Sequence, residues 1–300
     1  MEEQTLTKDR WELLLIDNAS DGRLAENYDL SWHPQARHVR EDCLGLTPAR
    51  LRGIREATGG LLVFVDDDNV LAPDFLEEAA AIHERYPYLG AFGAGRLRPE
   101  FEIEPPSEIR PHLKMLALRS VSSARWSNNA RDADSIPWGA GLCACRQVVT
   151  LYRNVVESLE VPIVLDRRGK ELQAGGDDLF SWVAASAGFG FGIFPQLRIT
   201  HLIVGGRLNQ RYFLRLIETH RFSHGVLDYM LEGIQPHRLD WLRYVRLALH
   251  GMRNGRFSMR CRWAGSRGED RAARFISANN LHPIDVAGRP NLLALAAKCR

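Results

Sequence analysis

Three consecutive carboxylates, Asp66, Asp67 and Asp68, follow directly on the apolar run LLVFV at residues 61–65. In open α/β sheets ligands bind beyond the carboxyl ends of the strands, so this position favours a binding site. Neighbouring carboxylates repel one another unless a cation is present, and Mg²⁺ and Mn²⁺ often bridge carboxylates to substrate phosphates. The triplet therefore predicts a site for a divalent metal and a diphosphate, with a solvated acidic loop before the next helix as the alternative.

A second polar pair, Asp17 and Asn18, closes the earlier apolar run WELLLI. A parallel sheet would bring this loop to the same edge as the triplet, and an aspartate there can accept hydrogen bonds from a nucleobase or ribose. The residues NASDG are also typical of an ordinary turn, so that alternative stays open.

Two further carboxylates, Asp177 and Asp178, follow Gly175 and Gly176 at the start of a predicted helix. Adjacent carboxylates raise each other's pKa, and a positioned carboxylate can act as general base toward an acceptor hydroxyl. An N-cap role for one of the pair is the alternative. His201, which follows a later predicted strand, is a candidate imidazole ligand for the same metal or a structural histidine.

A small-residue segment, Trp138, Gly139, Ala140 and Gly141, stands between these groups. Its indole offers a face for a sugar and its glycines allow close backbone approach, although the same residues also make a plain turn. The sequence contains no GxxxxGK[ST], no GxGxxG after a strand, no GxSxG and no HExxH. P-loop NTPases, Rossmann dehydrogenases and the matching hydrolases are therefore disfavoured.

Strands and helices alternate around these residues. Apolar runs predict strands at 11–17, 61–65 and 190–200, with a turn and strand over 136–145. Helical periodicity with capping residues predicts helices at 47–57, 73–86, 179–187, 210–232 and 238–253. Residues 96–136 are polar and proline-bearing, as an excursion or lid would be, and the last 45 residues are weakly patterned. The alternation predicts a parallel sheet flanked by helices.

Composition narrows the class of protein. The chain has 300 residues with 45% hydrophobic content, enough for a sizeable core. It has no run of 18 apolar residues, and its N-terminus shows no basic segment before an apolar one, so we expect a cytoplasmic protein. Five cysteines without a CxxC pair indicate reduced thiols.

Charge is distributed unevenly along the chain. Residues 1–204 carry 22 Lys and Arg against 30 Asp and Glu, whereas residues 205–300 carry 17 against 7. A basic C-terminal part attracts a phosphate-bearing or membrane-surface partner, and no nucleic-acid motif accompanies the charge, so we expect no nucleic-acid partner. A solvated basic face is the alternative.

The order of these pieces resembles glycosyltransferase family 2: ELLLIDNASDG, ARLRGIREATGGLLVFVDDDN, WGAGLCACR, GGDDLF and a strand ending in His201. The likeness covers roughly residues 4–225 and implies a GT-A fold. This fold is α/β, with a mixed, mainly parallel sheet flanked by helices. We expect a GT-A domain at residues 1–205 and a basic helical C-terminal extension at residues 206–300.

The resemblance also implies residue roles. Asp17 would meet the nucleobase and Asp66 the ribose, and the donor-binding set is completed by Asn18, Arg50 and Asp67. Asp68 and His201 would hold Mn²⁺ or Mg²⁺. Asp178 would be the catalytic base, with Asp177 beside it, and residues 138–141 would border the sugar and acceptor. The implied reaction is inverting transfer from a UDP-, GDP- or dTDP-sugar to a glycan, lipid-linked or protein acceptor, at the inner face of a membrane.

Three features depart from the family pattern. The family begins with a strand of the type VSVIIPTYNR, and this sequence starts just after the position where that strand would end. We therefore expect the sheet to lack it, through a late start or a truncation. Leu51 stands where the ARN motif has Asn, and Asp177 stands where Glu is common. The alternatives are a non-catalytic sugar-nucleotide-binding relative and a nucleotidyltransferase, which usually carries a Gly-rich basic loop near its N-terminus.

Overall fold

The chain forms a mixed α/β structure. The computed structural model describes residues 1–158, 167, 169, 172–239 and 256–283. The strands are β1 (Leu13–Asn18), β2 (Ala36–Glu41), β3 (Leu61–Phe64), β4 (Asn69–Leu71), β5 (Leu89–Phe101), β6 (Arg119–Ser120), β7 (Arg125–Ser127), β8 (Leu142–Cys145) and β9 (Gly190–Ile203). The helices are α1 (Leu46–Glu56), α2 (Phe75–Arg85), α3 (Arg146–Ser158), α4 (Gly176–Ser186), α5 (Gln210–Glu232) and α6 (Arg256–Ala278).

Seven strands form the central sheet. Five of them lie side by side in the order β3-β8-β5-β9-β4, while β6 pairs with β5 and β7 pairs with β9. Among the residues that the structure describes, the two longest ladders, β1–β2 and β5–β9, are parallel, and the five shorter ladders are antiparallel. Because β8 runs against both β3 and β5, the carboxyl ends of β3, β5 and β9 share one edge with the start of β8.

The sheet separates two hydrophobic clusters. Alternating residues of one strand point to opposite faces, so Ala91 packs with α3 and α4 whereas Phe92 packs with α2. Leu227 of α5 also joins the first cluster. The expected fold class, α/β with a mixed sheet flanked by helices, is confirmed. The parallel ladder of the central sheet is β5–β9, and β1–β2 is a second parallel ladder beside it.

The β1–β2 pair stands apart from the central sheet. Within the described residues β1 pairs only with β2, and β3 pairs only with β8. The apolar residues 13–16 of β1 are only half-buried, and Val65 just beyond β3 is exposed. Within the described residues, β1 is therefore not part of the central sheet.

Several predicted elements are confirmed with shifted ends. Helix α5 matches its predicted range, α1 begins one residue early, and β9 extends to Ile203. The prediction of an excursion from residue 96 was wrong at its start, because residues 96–101 continue β5 beside β9. The elements that were not predicted are strands β2, β4, β5, β6 and β7 and helices α3 and α6. Most of the helix predicted at 238–253 lies outside the described residues. Within the described part, no helix combines the length and apolar character needed to cross a bilayer.

Candidate active site

The edge that holds the carboxyl ends of β3 and β9 brings Asp68 and His201 together. Strand β4 pairs with β9 so that Asn69 lies opposite His201, and the Leu202 amide donates to the Asp68 carbonyl at 2.8 Å. This register sets His201 Nε2 at 3.4 Å from Asp68 Oδ2. The predicted metal ligands are therefore neighbours, although 132 residues separate them in the sequence.

A third group, Arg207, shares the same carboxylate oxygen. Its Nη1 lies 2.8 Å from Asp68 Oδ2 and 3.4 Å from His201 Nε2. Burial raises the pKa of the Asp68 carboxyl, but the hydrogen bond and charge of His201 and the charge of Arg207 together hold it at about 2. Asp68 is therefore ionised at neutral pH. Sequence reasoning missed Arg207, which follows His201 by six residues in the turn GGR.

These residues fit a divalent cation only in part. Within residues 1–158, 167, 169, 172–239 and 256–283, no three His, Cys, Asp or Glu side chains converge as a metal-binding group. A separation of 3.4 Å between Asp68 Oδ2 and His201 Nε2 suits adjacent ligands of one ion, whose bonds are about 2.0–2.2 Å long. Magnesium-type ions commonly take their remaining ligands from substrate phosphates and water. Asp68 and His201 would therefore supply only two of the ligands of such an ion, a half-site that a diphosphate would have to complete.

Asp66 lies deeper than its two neighbours. Burial raises the pKa of its carboxyl, the positive charge of Arg50 acts in the opposite direction, and the charges of Asp68 and Asp67 raise it further. Arg50 is buried in α1 and its guanidinium lies against Gly139, so closely that a methyl group on that glycine would clash with it. Asp67 is exposed beside them. The charge of Arg50 thus acts on Asp66, while its guanidinium lies against the loop before β8.

The loop before β8 is tied to the start of α4. The Gly139 amide donates to Asp177 Oδ2 at 3.0 Å, while Asp177 Oδ1 accepts from the Asp178 amide at 3.2 Å. Gly175 is the N-cap of α4 and forms no side-chain cap bond, so neither aspartate is the N-cap. Asp177 therefore positions the loop, and Asp178 lies beside it in the first turn of the helix.

The segment at residues 138–141 is largely packed. Ala140 is buried, and Gly141 has φ +71° with Ile199 and Phe75 against its α-carbon. The Arg119 guanidinium covers one face of the Trp138 ring at 3.6 Å from its centre, a cation–π contact. Burial lowers the pKa of Arg119 to about 10. This packing leaves Trp138 and Gly139 as the half-exposed part of the segment.

A pair of histidines on α5 adjoins Asp178. His224 Nε2 lies 3.6 Å from Asp178 Oδ2 and 3.1 Å from His220 Nε2. Burial lowers the pKa of both imidazoles, and the His224 charge helps bring that of His220 to about 4, so both are neutral at pH 7. Sequence reasoning missed this pair. Two histidines four residues apart on a predicted helix face were the available signal.

Asp17 and Asn18 organise their own loop. Asp17 is buried and accepts from the Ser20 and Leu24 amides and from Arg40. Burial raises the pKa of Asp17, but Arg40 and these amides hold it well below its usual range. Asn18 Oδ1 accepts from the Gly45 amide at 2.7 Å, which joins the loop to the start of α1. The structure therefore links this loop to the triplet through α1 and Arg50.

Comparison with known proteins gave one family and a set of structural neighbours. Residues 2–131 match the model of Glycosyl transferase family 2. No curated protein sequence matches the chain.

GalNAc-T7 with UDP, GalNAc and Mn²⁺ aligns with a TM-score of 0.49 and 13% identity, over 99% of this chain and 53% of that one. The mannosyltransferase PcManGT from Pyrobaculum calidifontis, with GDP-Man and Mn²⁺, aligns with a TM-score of 0.48 and 18% identity, over 98% of this chain and 77% of that one. S. aureus TarS 1-349 aligns with a TM-score of 0.40 and 11% identity, over 93% of this chain and 86% of that one. The chain spans about half the length of the GalNAc-T7 chain. The resemblance seen in the sequence is confirmed by this match to the model of Glycosyl transferase family 2 over residues 2–131.

Proposed function

We propose that the chain transfers a sugar from a nucleotide-diphosphate donor to an acceptor hydroxyl, with inversion at the anomeric carbon. The observation that carries the proposal is the position of Arg50, whose charge acts on Asp66 and whose guanidinium lies against Gly139. The Gly139 amide in turn donates to Asp177. This arrangement relates the acidic triplet, suited to a donor, to the aspartate pair, suited to a base. A pair of such sites on one sheet edge is what group transfer between two substrates requires.

The loops after β1 and β3 are the proposed donor-binding loops. We assign Asp17, Asn18, Arg50, Asp66 and Asp67 to the nucleoside and diphosphate, and Asp68 with His201 to Mn²⁺ or Mg²⁺. When bound, the ion would neutralise charge on the departing diphosphate. Asp68 suits this role because its carboxyl remains ionised at neutral pH.

Asp178 is the proposed base. Its carboxylate takes the proton of the acceptor hydroxyl, and the acceptor oxygen forms a bond to the anomeric carbon. The bond from that carbon to the diphosphate oxygen breaks, and the nucleoside diphosphate leaves. Asp177 positions the Gly139 amide beside this step, and Trp138 borders the sugar.

Release of nucleoside diphosphate from UDP-, GDP- and dTDP-sugars, with a panel of glycan and lipid acceptors, tests the proposal. Asp178→Asn should abolish release while leaving nucleotide binding intact, because only the base is lost. Asp29→Asn makes the same chemical change on an exposed loop and should leave release unchanged. An Asp178→Asn enzyme as fast as wild type would refute the assignment of the base. NMR of the product gives the anomeric configuration.

A non-catalytic sugar-nucleotide-binding protein is the second candidate. The separate β1–β2 sheet favours it, because the donor loop at Asp17 is then anchored through α1 and not through a continuous sheet. This second candidate predicts that the chain binds nucleotide but releases no nucleoside diphosphate from any sugar donor.

We further propose that residues 206–300 form a basic extension to a domain at residues 1–205, and that the protein works at the inner face of a membrane. Five of the six exposed arginines of α6 support this, because at 100° per residue they fall within one arc of about 60° around the helix axis, which Arg262 lies outside. The five are Arg256, Arg260, Arg267, Arg271 and Arg274. Binding to anionic but not zwitterionic vesicles, weakening with salt, is expected; equal binding to both would contradict the proposal.

A further inference from the structure

Arg207 occupies the position at Asp68 where a divalent cation would bind. Its Nη1 donates to Asp68 Oδ2 at 2.8 Å, and the same oxygen lies 3.4 Å from His201 Nε2. The side chains of Arg207 and Asp68 are 22% and 21% exposed, so the ion pair is largely shielded from solvent. Such a pair is screened less by salt than an exposed one.

The backbone around Arg207 is fixed at several points. Gly205, two residues earlier, donates its amide to Glu102 Oε2 at 2.6 Å, and the Arg207 amide donates to the Val204 carbonyl at 2.9 Å. Asn209 then caps α5, accepting from the Tyr212 amide at 2.9 Å. The turn is therefore built between β9 and α5, and it directs the Arg207 side chain toward Asp68.

A guanidinium and a divalent cation disfavour each other at Asp68, because both are positive and the carboxylate already accepts at both oxygens. Oδ2 accepts from Arg207, and Oδ1 accepts from Asn69 Nδ2 at 2.7 Å. A diphosphate changes this balance. Its oxygens accept hydrogen bonds from a guanidinium in a matching planar geometry and also complete the coordination of a metal ion. Arg207 can then exchange one anionic partner for another without losing charge compensation.

We propose that Arg207 is a donor-binding residue that competes with the metal for Asp68 and moves to the diphosphate when the donor enters. The inference rests on the proposed function. In the free protein Arg207 keeps the metal half-site closed, so the ion binds weakly alone. In the donor complex Arg207 binds phosphate oxygens, and Asp68 becomes available to the ion.

Isothermal titration of the purified chain tests the exchange with two probes, Mn²⁺ alone and inorganic pyrophosphate in EDTA. Arg207→Gln should bind Mn²⁺ about ten-fold more tightly than wild type and pyrophosphate about ten-fold more weakly. These opposite signs separate the proposal from a structural role, since a disturbed fold would weaken both. Arg207→Lys keeps the charge and loses the planar fork, so Mn²⁺ should stay excluded and pyrophosphate should weaken.

Arg10→Gln removes an exposed arginine and is the matched control, expected to change neither affinity. Unchanged affinities in Arg207→Gln, or a loss in both, would overturn the proposal. A parallel titration with UDP, GDP and dTDP separates this result from the proposed function. If no nucleotide binds, the proposed transferase activity fails, while the Mn²⁺ and pyrophosphate titrations still decide the role of Arg207.

Discussion

Replacing Gly141 by alanine tests whether the segment at residues 138–141 is part of the packed core. Gly141 has φ +71°, where a non-glycine residue costs roughly 1–2 kcal/mol. A β-carbon there would also overlap Ile199 Cδ1 and lie 3.0 Å from Phe75 Cζ. Overpacking of a core adds about 1–3 kcal/mol, so Gly141→Ala should lower the free energy of unfolding by about 2–5 kcal/mol in total.

Gly188 offers a matched control. It has φ +84°, but no atom lies within 4 Å of the position that a β-carbon would take, so Gly188→Ala should cost only the backbone part, roughly 1–2 kcal/mol. Urea unfolding followed by circular dichroism measures both variants against wild type. A loss in Gly141→Ala no larger than that in Gly188→Ala would show that the segment is loosely packed. It would then be open to a ligand along its whole length.

Two further predictions concern the aspartate pair and the histidines beside it. Asp177→Asn should lower the free energy of unfolding by about 1 kcal/mol in urea titrations, because a neutral amide oxygen accepts the Gly139 amide more weakly, and a loss near zero would argue against the bond. For His220 and His224, the pKa is lowered in the folded state, so the unfolded chain binds more protons and stability should fall as the pH drops from 6.5 toward 4. A His220→Gln/His224→Gln double variant should show a smaller fall in pH-dependent unfolding, and an unchanged profile would contradict the assignment.

The sequence located the acidic groups because they follow strong local signals. Asp66, Asp68 and His201 each stand at the end of an apolar run, and a sheet gathers such ends at one edge. Helix α5 was predicted over its full range because its apolar residues recur at helical spacing. The pairing of Asp68 with Arg207 could not be predicted, since it depends on the register of β4 against β9.

Two elements, β5 and α6, were not predicted from the sequence because they contain glycines. Strand β5 contains Gly90, Gly93 and Gly95, which suggest a loop in isolation, but side chains or neighbouring backbone approach each of them closely. Helix α6 contains Gly268, whose missing side chain lets the Glu218 carbonyl of α5 approach. These glycines allow close tertiary packing, which cannot be predicted from the local sequence pattern.

Titration of the chain with UDP, first with Mn²⁺ and then with EDTA, beside Asp68→Asn, tests the central claim most directly. The donor site proposed at Asp68 and His201 predicts that UDP binding strengthens with Mn²⁺ and that this gain is lost in Asp68→Asn but kept in Asp29→Asn. A folded Asp68→Asn protein that shows the same Mn²⁺-dependent gain as wild type would contradict it.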